Sequence, residues 1–240
     1  MNSTKLDFAL YLIPCSIGEN SPDQLPKASL EILDSLDFFI VERARTARRF
    51  IKACFADKAI DALEIFEFDK HDPEQGLEPF LQKMQEENRP AGLLSEAGSP
   101  GVADPGQGLV RIAHQKGIPV IPLVGPSSIL LALMASGMNG QSFAFHGYLP
   151  VKKPELQKAL KSLEERVAQS GQTQIFIEAP YRNQQLLATA VSCLKPETNL
   201  AMAIDLTLPE EQILSQPISK WKNTPTKGFH KRPAVFMIGR

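Results

Sequence analysis

Two short stretches of this chain hold the residue types from which a ligand cradle is built. Ser95-Glu-Ala-Gly-Ser-Pro-Gly-Val-Ala-Asp-Pro-Gly follows the apolar run Ala91-Gly-Leu-Leu, and Gly125-Pro-Ser-Ser follows Ile118-Pro-Val-Ile-Pro-Leu-Val. Small residues at Ser95, Ala97, Gly98 and Ser99 let a ligand reach the main chain, Gly98 and Gly101 permit unusual dihedrals, and Pro100 stiffens the turn. The second stretch repeats the device with two hydroxyls, Ser127 and Ser128, at the start of a helix whose free N–H groups favour polar or anionic ligand atoms. One Gly/Pro turn after a strand is commonly only a connection. Two on successive strands, both rich in small hydroxyl residues, put ligand binding on an equal footing with that plain reading. Neither turn is followed by Gly-Lys-Ser/Thr and no Gly-x-Gly-x-x-Gly opens the first strand, which disfavours a phosphate-cradling NTPase and an ordinary NAD enzyme. A different chemistry is suggested by Arg45, Arg48 and Arg49, whose i, i+3, i+4 spacing puts them on one face of a helix. That face is either a phosphate contact or a solvated surface.

The elements that must position these residues form a βαβα unit over 91–138. Asp104 reads as an N-cap with Pro105 at the first helical position, Leu109, Ile112 and Ala113 give the helix its apolar face, and Gly117 stops it. The run 118–124 reads as a second buried strand, and an apolar helix then continues to Met138. Upstream, strands are expected over 8–14, 38–42 and 60–68, with helices over 26–36 and 76–88. Downstream, helices are expected over 156–167 and 186–194, and strands over 173–178, 200–206 and 235–239.

Composition bounds the rest. With 240 residues, 43% of them hydrophobic, the chain can bury a substantial core in one large or two smaller domains. A net charge of −1 means that affinity for nucleic acid must come from a local patch. Cys15, Cys54 and Cys193 are scattered, as expected of free thiols in a reducing compartment, and the histidines have no ligand spacing, so no metal site is expected. No apolar run reaches membrane-spanning length, and Asp7 interrupts the N-terminal segment, so a cytoplasmic protein without a signal peptide or membrane association is expected.

The Ser95 to Gly106 stretch resembles the Ser-Asp-Ala-Gly-Thr-Pro-x-Ile-x-Asp-Pro-Gly signature of the tetrapyrrole-methylase-like (class III) methyltransferases. Pro122-Leu-Val-Gly-Pro-Ser-Ser and Leu12-Ile-Pro-Cys-Ser-Ile-Gly resemble two further motifs in the same order. Within the superfamily the chain is most similar to the bacterial 16S ribosomal RNA (cytidine-2′-O)-methyltransferases. The resemblance implies an α/β fold of two lobes, an N-terminal one with a mostly parallel sheet and helices on both faces (1–145) and a C-terminal mixed α/β one (146–240). The stretch Phe143-Ala-Phe-His-Gly-Tyr-Leu-Pro falls at the hinge of the family. S-adenosyl-L-methionine is the implied cofactor, held in a cleft between the lobes, and a homodimer acting on ribosomal RNA or the small ribosomal subunit is the implied assembly.

Carried over residue by residue, the implied cofactor contacts are Pro14, Ile17, Gly18, Ser95, Gly98, Ser99, Val102, Ser127 and Ser128, with Phe176, Leu206 and Pro233 from the second lobe. Substrate contacts fall on Arg45, Arg48, Arg49 and Arg182. A ribose hydroxyl is a poor acid, so a base is needed, and Glu42, Glu96, Asp104 and Glu178 are the candidates. The plain reading of Asp104 is a helix cap, and that of Glu178 an ion pair with Arg182.

The chain also departs from the pattern. Arg43 replaces the acid of Glu-Asp-Thr-Arg, and only His71 and Glu74 echo the His-x-His-Asn-Glu motif. Tyr181 replaces the His of Glu-Ser-Pro-His-Arg, Ile204-Asp205 replaces Arg-Glu, and Lys231-Arg-Pro replaces Lys-Gly-Glu. Three readings follow: an RNA methyltransferase, a methyltransferase of a tetrapyrrole or other small acceptor, and a protein that binds the cofactor without catalysis.

Overall fold

The structure is a computed structural model that describes residues 6–18, 21–68, 77–103 and 106–240. It divides into two compact units, Met1–Ser127 and Ser128–Arg240.

The first unit is built on a five-stranded, wholly parallel sheet of β1 (Leu10–Ile13), β2 (Phe38–Val41), β3 (Glu64–Glu67), β4 (Ala91–Leu94) and β5 (Val120–Pro122), in the order β3-β2-β4-β1-β5. Its three inner strands read Leu-Tyr-Leu-Ile, Phe-Phe-Ile-Val and Ala-Gly-Leu-Leu because helices cover both faces of the sheet. Alternate residues divide the core accordingly. Tyr11, Ile13, Phe39 and Val41 pack with Leu33 of α1 (Lys27–Ser35) and with Phe50 and Ile51 of α2 (Ala44–Cys54). Leu10, Phe38, Ile40 and Leu93 pack with Phe80 of α3 (Leu77–Glu86) and Leu109 of α4 (Gln107–Gln115). Phe38 and Phe80 stack at 4.6 Å between centroids. Gly92 is required in β4, since a Cβ there would lie 2.6 Å from Ile13 Cδ1 and 2.8 Å from Phe39 Cδ1.

Three expectations need correction. The strand expected over 118–124 is shorter and lies at the sheet edge, with Pro122 exposed; an edge is where a residue without an N–H is tolerated. The strand expected over 60–68 begins only at Glu64, after a 3-10 turn over Ile60–Ala62. Helix α4 begins at Gln107, behind Gly106 at φ 132°, two residues later than expected. Asp104, Pro105, His71 and Glu74 lie outside the described residues.

The second unit carries a mixed sheet of β6 (Phe143–Tyr148), β7 (Thr173–Ile177), β8 (Asn199–Ile204), β9 (Gln212–Pro217) and β10 (Ala234–Gly239), in the order β6-β7-β10-β8-β9. Only the β6/β7 pair is parallel. Ile129 and Leu133 of α5 (Ser128–Ser136) pack with Ile175, Ala201, Val235 and Met237. Leu160 of α6 (Lys153–Ser170) and Leu187 of α7 (Asn183–Cys193) pack with Phe176, Met202 and Phe236. The division falls at 127/128 and not at 145/146, because α5 packs on this sheet and the stretch expected at a hinge is its strand β6. Strand β9 and the short α8 (Ile218–Trp221) have no counterpart in the sequence reading, since Gln-Ile-Leu-Ser-Gln-Pro offers no clear alternation. Among the described residues, no helix is long and apolar enough to cross a membrane.

Candidate functional site

In the first unit β1 and β4 are neighbours whose outgoing helices leave to opposite faces, α1 to one and α4 to the other. Such a switch point opens a crevice at the carboxyl ends of the strands, where open parallel sheets bind ligands. The loops that leave it are tied to each other. Cys15 N–H donates to Gly98 O at 2.8 Å, and Gly98 N–H donates back to Cys15 O at 3.0 Å. Ser95 Oγ donates to Gly98 O at 3.0 Å, so this buried serine holds its own turn closed. Ser99 Oγ reaches Pro126 O at 3.4 Å, which brings in the exit of β5. Gly125 seats that exit on Pro14, since a Cβ at Gly125 would lie 2.2 Å from Pro14 Cγ. Behind the rim, Ser29 Oγ donates to Val124 O at 2.8 Å.

The structure therefore brings Pro14, Ile17, Gly18, Ser95, Gly98, Ser99, Val102 and Ser127 to one end of the first sheet, as the turns predict. Gly18 and Gly98 take left-handed φ values of 82° and 69°. Ser128 opens α5 in the second unit. Two participants are invisible in the sequence. Gln24 reads the main chain of Ile17 at both groups, accepting from its N–H at 2.8 Å and donating to its carbonyl at 2.9 Å. Ser16 Oγ is buried with no hydrogen-bond partner among the described residues. Its place between Cys15 and Ile17 in the first motif is the one signal that could have found it.

The candidate bases separate clearly. Glu42 and Arg43 leave β2, and Glu96 leaves β4 beside them, with Arg43 Nε 3.6 Å from Glu96 Oε1. That oxygen is buried and accepts no hydrogen bond among the described residues. Glu178, by contrast, is committed. Both its oxygens accept from Arg182 Nη2 at 2.6 Å, Oε1 also accepts from Ala179 N–H at 2.7 Å, and the side chain is 3% exposed. The plain ion-pair reading holds for it, and the hydrogen bond to Glu178 raises the Arg182 pKa above its ordinary value.

In the second unit the carboxyl ends of β6, β7 and β8 and the start of β10 share one edge, which places Arg182, Leu206 and Pro233 there. Phe176 is different. Its ring is fully buried and stacked 5.8 Å from Phe236, so it serves the core and presents no side chain to a ligand. Leu206 is 6% exposed and packed with Ile129 and Val235, which likewise commits its side chain. Asp205, Thr207 and Lys231 hold left-handed backbone at φ 48°, 72° and 61°, an unusual concentration for non-glycine residues.

Comparison with known proteins decides the family. The profile of the tetrapyrrole (corrin/porphyrin) methylases matches residues 10–221. The chain belongs to that family. Among solved structures the chain is similar to the methyltransferase CobJ (TM-score 0.65, 17% identity, 97% of this chain and 94% of that one). A cobalt precorrin-4 methyltransferase gives a TM-score of 0.61 at 14% identity, over 97% of this chain and 95% of the other. At such identities the likeness shows the fold. Sequence similarity is higher to the ribosomal RNA small subunit methyltransferase I of Escherichia coli O157:H7, at 33% identity over 211 residues, 88% of this chain and 70% of the relative. That of Vibrio cholerae is 32% identical over the same share of this chain and 69% of its own length. The Bacillus subtilis protein is 31% identical over 89% of this chain and 70% of its own.

Family membership makes the chain a methyltransferase with S-adenosylmethionine as its methyl donor. The rim fits such a group on its own terms. An ammonium and ribose hydroxyls need acceptors, and Ser16 Oγ is a buried acceptor without a partner. Gly98, at φ 69°, and Gly125, set against Pro14, let the loops of the rim approach each other closely.

Proposed function

We propose that the protein methylates a ribose 2′-hydroxyl of small-subunit ribosomal RNA. The carrying observation is the sequence similarity, at 32–34% identity over most of the chain, to three proteins named as methyltransferases of that RNA. Neither a tetrapyrrole acceptor nor cofactor sensing without catalysis is favoured by any finding of comparable identity.

S-adenosylmethionine, when bound, supplies an electrophilic methyl group on a sulfonium. The chain must hold the acceptor in line with that carbon and remove one proton. The turns after β1, β4 and β5 do the holding, through Ile17, Gly98, Ser99, Val102 and the hydroxyls of Ser16 and Ser127. Glu96, whose side chain is 32% exposed, takes the proton of the attacking hydroxyl, while its buried Oε1 lies beside Arg43. Arg43, 3.6 Å away, compensates the charge of this carboxylate while it waits. Arg45, exposed on α2 behind the exit of β2, contacts the RNA.

The same reading includes a cytoplasmic homodimer. Leu130 and Met134, one turn apart on α5, are 50% and 80% exposed, and a partner subunit would cover them. Light scattering then gives twice the 26.5 kDa of one chain. The activity is tested by transfer of labelled methyl from S-adenosylmethionine to unmodified small ribosomal subunits, with calorimetric titration of S-adenosylhomocysteine in parallel. Label in the RNA, mapped to a ribose, is the expected result. Tight binding of the homocysteine product without label in RNA would overturn the RNA assignment and leave the methyl donor in place.

A further inference from the structure

Helix α2 carries more than the three arginines singled out by their spacing. Arg45, Arg48, Arg49 and Lys52 recur at i, i+3, i+4 and i+7 and are all exposed, while Ala47, Phe50 and Ile51 on the opposite face are buried. Among the described residues, no carboxylate lies within ion-pair distance of any of these four cations. Beside the lower half of the stripe is an open depression of about 480 Å³ lined by Arg48, Arg49, Lys52, Lys58 and Asp61. Lys58 is held at its wall by the carbonyls of Leu33 and Asp34 and by the Asp34 carboxylate, and Lys52 Nζ donates to Lys58 O at 3.4 Å. The chain as a whole has a net charge of −1, so this is a local concentration of positive charge.

The stripe starts where β2 leaves the sheet, next to the rim that holds Glu96, and runs down the helix for roughly 10 Å at 1.5 Å per residue. We propose that it is a phosphate track, which binds the sugar-phosphate backbone of the RNA leading away from the nucleotide being methylated; this rests on the RNA methyltransferase reading. Guanidinium groups match phosphate oxygens in pairs, and a lysine adds a point charge. Among the described residues no aromatic side chain lines the depression, so it offers no platform for base stacking and the track reads backbone without reading sequence. Lys52 and the depression wall extend the contact beyond the arginine cluster, to at least one phosphate that does not touch the reaction centre.

The test is fluorescence anisotropy of a labelled small-subunit RNA fragment over a salt series, with the triple variant Arg48→Gln, Arg49→Gln, Lys52→Gln beside the wild type. All three side chains are exposed and glutamine is a good helix former, so the fold is retained. Neutralising contacts to three phosphates is expected to weaken RNA binding by about tenfold or more at low salt and to flatten the slope of log K against log salt by about 2. Affinity for S-adenosylhomocysteine stays as in the wild type. Unchanged RNA affinity and slope in a wild type that methylates RNA would overturn the track and leave the activity standing. Salt-dependent RNA binding lost in the variant, by a wild type that transfers no methyl to RNA, would do the reverse. A loss seen on intact subunits but not on naked RNA would assign the stripe to a ribosomal protein and overturn the proposal.

Discussion

Arg232 donates its Nε–H to Asp205 Oδ2 at 2.6 Å, and thereby ties the turn after β8 to the turn before β10. The same guanidinium reaches Glu210 O at 2.5 Å and Gly228 O at 3.2 Å. Both residues occupy positions at which the chain departs from the family motifs, Asp205 in place of a glutamate and Arg232 within Lys-Arg-Pro in place of Lys-Gly-Glu. In the first unit Arg43 and Glu96 repeat the relationship, with an arginine for an acid facing a glutamate for an aspartate. Departures that look like separate losses along the sequence are thus paired in space. At 205 and 232 a shorter carboxylate and a new cation satisfy each other, whereas Arg43 and Glu96 make a looser contact at 3.6 Å.

Arg232→Ala removes the charge partner of Asp205, whose side chain is 11% exposed, and two hydrogen bonds to loop carbonyls. Urea denaturation is expected to show a loss of about 2 kcal/mol. The double variant with Asp205→Asn should be less destabilised than the sum of the two single changes, by about 1 kcal/mol. Strict additivity would mean that the contact is not coupled.

Glu96→Gln keeps size and hydrogen-bonding capacity and removes the base. Methyl transfer to the small subunit is expected to fall by about 10²- to 10⁴-fold in kcat. Calorimetric affinity for S-adenosylhomocysteine should be within error of the wild type. An active Glu96→Gln enzyme would move the role of base to another carboxylate, Glu42 being next to it at the exit of β2.

Much of this was legible in the sequence because the information was local. The buried strands show as short apolar runs, and the rim shows as Gly/Pro turns directly after them. The elements that escaped are those whose identity is set by distant partners. Strand β9 is polar and exists because its backbone pairs with β8 over 212–217. Gln24 matters through the main chain of Ile17, seven residues away, and nothing in its neighbours marks it. Phe176 aligned with a cofactor position, yet the period-2 alternation of β7 points its ring to the core. The start of α4 is likewise set locally. Gly106, at φ 132°, lets the chain enter α4 two residues later than expected.

Gly125→Ala tests the floor of the rim. The added Cβ would sit 2.2 Å from Pro14 Cγ and 2.5 Å from its Cβ, and a proline ring cannot rotate away. One of the two loops must move. Unfolding free energy is expected to drop by about 1–3 kcal/mol, the usual cost of overpacking. S-adenosylhomocysteine affinity should fall with it, because Pro14 and Gly125 lie at two of the three exits. A stable variant with weakened binding still supports the assignment of the exits, whereas a destabilised one with unchanged binding removes Gly125 from the site.

The sheet edge far from this chemistry carries a pH-dependent element. Glu64 of β3 accepts from Lys83 of α3 through Oε1 and from Arg89 Nη1 at 2.7 Å through Oε2, and the Arg89 guanidinium lies 4.7 Å from the Phe38 ring centroid. The hydrogen bond from Lys83 is the main reason that the Glu64 carboxyl is held below the usual carboxylate range, with Arg89 adding to it and desolvation opposing. A carboxyl with a lowered pKa in the folded state contributes stability above its ordinary pKa, about 4.3, and loses it as pH falls through the folded value. Glu64→Gln is therefore expected to lower stability at pH 7 by about 0.5–1 kcal/mol, since the side chain is about a third exposed and screened by solvent. The gap between wild type and variant in urea midpoints should narrow steadily below pH 4 and close once the wild-type carboxyl is protonated. It should also narrow at pH 7 in high salt. A gap that stays constant from pH 7 to pH 2 would show that Glu64 holds β3 to α3 by shape and packing instead of by charge.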